Sequence, residues 1–465
     1  MHGSDSGGER NMIQGPVMLM RDFDMAFGDI RVADRADWLI DRIKATGSLV
    51  LRKLGGTRAG EIAVQRFLSS PYVNVDKVVE SAAVRTAEQC KGRRVLAVQD
   101  TTEVNFSGRD LRRQDFGPGG DGKTPGFFLH PVIAVDIENQ AVVGPVDAAI
   151  WTRAKGRQPR QGNRDFAEKE SERWVLGCKA AASVLAQAEQ VVMVADRESD
   201  LYPLFAEKPE SLDLIVRAYR DRKLENCSHL FEVCSETELL GTTLVRVAAR
   251  GPGDKERTAS VELRAAKVRI ARPATYCKSG YPEIVELSYV EAREVDVPKG
   301  KTALLWRLLT TLPADTADDA CEVVQLYRLR WRIEQVFRSL KSDGLALEDS
   351  QVAQVEHMFN LAALGLIAAV RTIQLVDARE GSSRPASDVI DDDFAAALER
   401  ISTSLEGGSQ RQKNPHPKDT LAFVAWIAAR LGGWNCYGKP PGPKTMRSGW
   451  SELAAMLYGY SLATP

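Results

Sequence analysis

Residues 166–196 read FAEKESERWVLGCKAAASVLAQAEQVVMVAD, and the change of pattern inside them decides the fold class. The part up to residue 188 reads as a long helix. QVVMVAD (190–196) then reads as a buried strand that ends on Asp196. Upstream lie three more strand-like runs, RRVLAVQD (93–100), FFLHPVIAVDI (127–137) and AVVGPVDAAIW (141–151). Strands followed by a helix and another strand specify a mixed α/β layer fold.

Further outward the pattern changes again. After LDLIVRAYR (212–220), residues 221–312 turn largely β, through TTLVRVAAR, ASVELRAAKVRIA, EIVELSYVEAREV and TALLWRLLTTLP. This predicts an α/β core interrupted by a β-rich insertion. Residues 26–90 carry apolar residues at three- and four-residue spacing above a basic complement, which predicts a small helical module. Residues 1–25 read as a disordered extension, 91–376 as the core and 377–465 as a helical region broken by polar linkers. No internal repeat is visible.

The chain has 465 residues, 44% of them hydrophobic, enough for a substantial core in two or three domains. Its net charge of −1 argues against indiscriminate coating of nucleic acid, although local patches still bind phosphate. Seven cysteines without a CxxC pair suggest neither a disulfide framework nor a zinc site, and a reducing cytoplasm fits. With five histidines, none at helical ligand spacing, a metal would be held by carboxylates, which favours Mg²⁺ or Mn²⁺. His130, in an apolar run, reads as a satisfied core histidine. The longest apolar stretch of the second half, LAALGLIAAV (361–370), is well short of the roughly 20 residues needed to cross a bilayer. The polar, Gly/Ser-rich start is not read as a signal peptide.

Two aspartates sit where strands end, Asp100 after VLAVQ and Asp196 after VVMVA. Carboxylates at strand ends of an α/β sheet commonly line a crevice; singly, each is also an ordinary turn former or helix cap. A third carboxylate comes from YRLRWRIEQVFRSLK (327–341). Read as one helix, this segment gathers Tyr327, Arg330, Glu334, Arg338 and Lys341 within roughly 60–80° of arc, with Leu329, Ile333, Val336 and Leu340 opposite. A solvated charged face is the bland alternative. Three carboxylates brought together repel unless divalent cations neutralise them, an arrangement suited to two-metal phosphoryl transfer. Arg330, Arg338 and Lys341 would then grip the phosphates of a polyanionic substrate.

Tyr327, Arg330, Glu334 and Lys341 follow the spacing Tyr, two residues, Arg, three, Glu, six, Lys. In this the sequence resembles the bacterial cut-and-paste DDE transposases of the insertion-sequence-four family, which have an RNase H-like catalytic core. FGDIR (27–31), QRFLSSPYV (65–73), VQDTTEVNFSGR (98–109), EKESERW (168–174), ADRESDLY (195–202) and ARLGGW (429–434) extend the resemblance over about residues 26–460. The N-terminal extension departs from the pattern.

The resemblance implies that Asp100, Asp196 and Glu334 hold two Mg²⁺ ions, with Mn²⁺ as a substitute. It implies that Tyr327, Arg330 and Lys341 contact phosphates at the cleaved end, and that Trp306, in LLWRLLTT, stacks on a flipped base during hairpin formation. Arg217 matches a basic residue beside the site. Trp331 is either a second aromatic near DNA or packing. The activity implied is Mg²⁺-dependent nicking, hairpin formation and resolution, and joining of 3′ ends to target DNA. The implied partners are double-stranded DNA, both end repeats and target, and a second copy of the chain in a synaptic homodimer. No membrane is implied, and the location is the bacterial cytoplasm, at the nucleoid. Readings to be separated from this are a non-transposing nuclease and a domesticated DNA-binding repressor.

Overall fold

Four helices precede the first strand: α1 (Ile30–Thr46), α2 (Leu51–Gly55), α3 (Arg58–Leu68) and α4 (Val75–Cys90). Local chemistry sets their limits. Asp29 caps α1 by accepting from the Arg31 N–H, Thr57 caps α3 and Asn74 caps α4. Helix α1 stops at Gly47, whose left-handed backbone (φ 57°) lets its N–H reach the Ile43 carbonyl. The computed structural model describes residues 27–463 apart from 107–114, 156–165, 167–168, 248–255, 278–279 and 342–343, together with Leu19 and Phe23. Except for those two residues, the extension predicted over 1–25 lies outside the described residues, as do parts of the motifs at 98–109 and 168–174.

The core strands are β1 (Arg94–Gln99), β2 (Thr102–Asn105), β3 (Gly126–Asp136) and β4 (Val142–Trp151). Helix α5 (Arg173–Val184), β5 (Gln190–Ala195), α6 (Tyr202–Glu207) and β6 (Asp213–Arg217) follow. Then come α7 (Leu230–Val233), β7 (Gly241–Val247), β8 (Arg257–Ala271), β9 (Ile284–Val295) and β10 (Leu305–Thr310). The chain closes with α8 (Ala317–Arg328), α9 (Trp331–Leu340), α10 (Val355–Ala378), α11 (Ala395–Leu405), α12 (Leu421–Leu431) and α13 (Pro443–Ala463).

The strands form one mixed sheet in the order β2-β3-β1-β5-β6-β10-β9-β8-β7, with β4 on β3. Strands β1, β5 and β6 are parallel, and the rest pair antiparallel. The strands of the 221–312 segment therefore extend the core sheet through β10 on β6. Along β1 and β5 the side chains alternate between two cores, Leu96, Val98, Val192 and Val194 on one face, Val95, Ala97, Val191 and Met193 on the other. Burial on both faces is why these strands read as unbroken apolar runs.

Three expectations change in detail. The helix predicted over 166–188 is shorter, α5 being preceded by a 3₁₀ turn at Glu170–Glu172. Strand β2 was not anticipated. It continues β1 along the same edge of β3 after a two-residue break at Asp100 and Thr101, with Gln99 opposite Val132 and Thr102 opposite Leu129. The segment 327–341 is two helices: α8 ends at Arg328, Leu329 and Arg330 form a turn, and Lys341 is already extended.

Helix α10 is 24 residues long, far beyond the ten-residue apolar run inside it, because polar residues at its ends are helical too. It is apolar and long enough to cross a membrane by length, but its most apolar window is wholly buried in the protein. It packs on α1, α4, α9, α12, α13 and β4. At Gly365 a β-carbon would come within 2.9 Å of Leu340 and Leu49, so the absence of a side chain there sets the approach of α9.

Candidate active site

The parallel pairing of β1 and β5 puts Val98 opposite Val194. Two residues further along each chain come Asp100 and Asp196, so the register delivers both carboxylates to the same end of neighbouring strands, roughly 5 Å apart in strand spacing. Each also makes the local bond expected of a strand-end aspartate. Asp100 accepts from the Thr101 N–H at 2.8 Å, and Asp196 accepts from the Glu198 N–H at 2.8 Å as the cap of a 3₁₀ turn.

The third carboxylate arrives through an arginine. Arg330, in the turn between α8 and α9, donates from Nη1 to Asp100 Oδ2 at 2.6 Å and from Nη2 to Glu334 Oε1 at 3.4 Å. Arg330 opens α9 with a helical backbone, one turn before Glu334, so the two side chains share a face of that helix. Burial, the first cause, and the charges of Asp196 and Glu334 push the Asp100 carboxyl up to about 7, against the opposing pull of Arg330. The Arg330 guanidinium is held charged by Tyr327, Asp100, Glu334 and Asp196, against the cost of its burial.

Tyr327, expected on the outer face, is instead buried with 4% exposure. Burial raises its hydroxyl pKa, while Arg330 and Arg217 oppose the shift. The Trp306 ring meets it edge to face at 5.1 Å. Trp306 is part-buried, and Arg217 donates from Nη2 to the Leu305 carbonyl at 3.4 Å. Lys341 is pushed down by burial, against the pull of Glu348, Glu103 and Glu334. Arg338 and Trp331 form a pair of their own, the guanidinium 4.8 Å from the ring centroid. The structure thus aligns Asp100 with Asp196, joins Asp100 to Glu334 through Arg330, sets Trp306 against Tyr327 and Arg217 beside Leu305, and joins Arg338 to Trp331, with Lys341 at the C-terminal end of α9.

Among the described residues no three His, Cys, Asp or Glu side chains are grouped to hold a metal ion. The donor set nevertheless fits a hard divalent cation: every oxygen belongs to a carboxylate. Positive charge is already demanded between Asp100 and Glu334, where Arg330 supplies it.

Sequence reasoning missed the polar shell behind the aspartates. Arg173 donates to Thr101 Oγ1 at 3.0 Å and to Glu198 Oε2 at 3.2 Å, linking the segments that follow Asp100 and Asp196. His130 is buried and fully partnered, by Thr101 at 2.9 Å and Gln99 at 3.2 Å, and burial holds its pKa well below the ordinary value. Asp200, in ADRESDLY, is the buried counter-ion of Arg222 and accepts from the Tyr219 and Arg220 N–H groups, so it ties the turn after β5 to the chain after β6. The only signal available was adjacency: Thr101 follows Asp100, and Arg173 lies within EKESERW.

Residues 153–371, just under half of the chain, match the family model described as Transposase DDE domain. The matched span contains Asp196, Arg217, Trp306, Tyr327, Arg330, Glu334 and Lys341, and begins downstream of Asp100. The match supports a DDE transposase, and with it a transposase function and a nuclease-type enzyme acting on DNA. The large mixed sheet is consistent with an RNase H-like transposase fold.

Proposed function

We propose that this chain is a DNA transposase of the insertion-sequence-four type, in which Asp100, Asp196 and Glu334 hold two divalent cations, Mg²⁺ or Mn²⁺. One observation carries the reading: the β1–β5 register aligns Asp100 with Asp196, and a single arginine joins Asp100 to Glu334. When bound, such a cation pair activates the attacking oxygen and stabilises the leaving oxygen of an in-line phosphoryl transfer. Arg330, Lys341 and Tyr327 orient the phosphates of the cleaved end, and Arg217 and Arg338 add positive charge along the strand. Trp306 stacks on an extruded base in the hairpin step, with Trp331 as a second aromatic beside Arg338.

The exposed basic residues of α1 to α3, Arg31 and Arg58 among them, fit a reader of end sequence. The helical C-terminal region would pair two copies in a synaptic homodimer, in the bacterial cytoplasm at the nucleoid. The test is cleavage of a labelled DNA bearing the element's own terminal repeats. Asp100→Ala, Asp196→Ala and Glu334→Ala should each reduce nicking and strand transfer to background while end binding persists in a gel shift. Near-normal Mg²⁺-dependent cleavage by any one variant removes that residue from the site. Nicking without joining by the intact protein would replace the transposase by a nuclease on the same core.

A further inference from the structure

Behind the aspartates runs a ring of hydrogen bonds whose donors and acceptors all match. Arg173 lacks acceptors, so its Nε–H donates to Thr101 Oγ1 at 3.0 Å. The Thr101 hydroxyl hydrogen is then left for His130 Nδ1 at 2.9 Å, which puts the ring proton of His130 on Nε2, facing Gln99 Oε1 at 3.2 Å. Gln99 Nε2 donates to the Trp174 carbonyl at 3.2 Å, next in sequence to Arg173, and the ring closes on α5. Gln99 and His130 are fully buried, and the His130 and Trp174 rings meet edge to face at 4.6 Å.

Two features show that the packing makes room for this ring. The first is the break between β1 and β2, which falls at Asp100 and Thr101 directly across from His130 and Pro131 on β3. Thr101 is thereby released from the ladder and turned to the imidazole. The second is Gly177 on α5, where a β-carbon would stand 2.7 Å from Gln99 Oε1. Glycine is disfavoured inside a helix relative to alanine, and here it admits the Gln99 amide. The remaining Arg173 donors reach the Glu170 carbonyl at 2.6 Å and Glu198 Oε2 at 3.2 Å, while the Glu198 N–H donates to the capping Asp196 Oδ1 at 2.8 Å.

We infer that Arg173 and Thr101, backed by His130 and Gln99, are positioning residues that hold the strand ends bearing Asp100 and Asp196 in alignment, so that the two carboxylates can bind divalent cations. Their side chains bond to one another, to α5 and to the segment after Asp196, so they act through the backbone beside the two carboxylates. The inference rests on the proposed function of those carboxylates.

The probe is Mn²⁺, titrated calorimetrically into the metal-free full-length protein without DNA. Thr101→Val removes both hydrogen bonds of the hydroxyl at nearly constant shape, and Arg173→Lys keeps the charge but loses the planar fork. Each should bind Mn²⁺ about 10-fold or more weakly, the usual loss when a ligand's outer partner is removed. Thr101→Ser should bind like the parent. Circular dichroism and thermal melting report the fold of each variant. Parent-like Mn²⁺ affinity in folded Thr101→Val and Arg173→Lys overturns the inference, as does equal loss in Thr101→Ser. A Thr101→Val chain that does not fold also overturns it, by assigning the ring to the fold alone. Absence of Mn²⁺ binding by the parent protein would fail the proposed function instead.

Discussion

The two halves of the candidate site are held in place by different physics. Asp100 and Asp196 stand at the ends of β1 and β5, where backbone pairing sets their alignment and a hydrogen-bonded ring on α5 and β3 supports the break behind them. Glu334, Arg330 and Tyr327 depend on a turn between two helices and on a single guanidinium spanning two carboxylates. The strand half is rigid through many backbone bonds, each individually modest. The helical half is rigid through charge, so its geometry is conditional on who carries that charge.

The largest test of this contrast is electrostatic. Asp100 has its folded pKa raised to about 7, mainly by burial. Between its unfolded value near 4 and that folded value, the native state binds more protons than the unfolded one, so this group lowers stability as pH rises from about 4 to 7. Above 7 the loss is complete and constant. Asp100→Asn should remove that slope and gain up to a few kcal/mol at pH 8 relative to pH 4, measured by urea unfolding at both pH values. An unchanged slope would mean that Arg330 already neutralises the site.

Next in size is Arg330→Ala, which leaves Asp100 buried without its cation and should cost about 2–3 kcal/mol at pH 8. The double variant Asp100→Asn/Arg330→Ala should recover much of that cost, and the coupling measured in the cycle is the strength of the link between the two halves. A coupling near zero would break the comparison. By contrast, Asp196→Ala should lose only a cap, about 1 kcal/mol in urea unfolding, whereas the proposed function expects it to lose cleavage.

How much of this was legible in the sequence varies by region. The apolar runs around Asp100 and Asp196 were readable because burial on both sheet faces makes composition alone diagnostic. The segment 327–341 was misread as one helix because its apolar spacing is compatible with continuation through Leu329. At the turn Leu329 and Tyr327 are both buried, at 5% and 4% exposure, while Arg330 faces the carboxylates. Such a choice is made by tertiary contacts.

The remaining effect concerns Trp306 and is read in product ratio rather than in stability. Its edge contact with Tyr327 belongs to the helical half, whereas its proposed stacking partner is DNA. Trp306→Ala should raise the ratio of nicked to hairpin product several-fold on a denaturing gel, because stacking worth about 1–3 kcal/mol is lost at the step that extrudes a base. An unchanged ratio in a folded variant would return Trp306 to a packing role.

The sequence by itself determined the α/β class, the strands that end at Asp100 and Asp196, and the spacing of Tyr327, Arg330, Glu334 and Lys341. These depend on periodicity and order, which are properties of the chain read in one direction. Only the tertiary structure decided that the strands of 221–312 continue the core sheet through β10 on β6, that β2 resumes β1 after the break, and that Arg330 lies between Asp100 and Glu334. Those are pairings between residues far apart in the chain, and they are chosen by which buried charge finds a partner and which strand edge remains open.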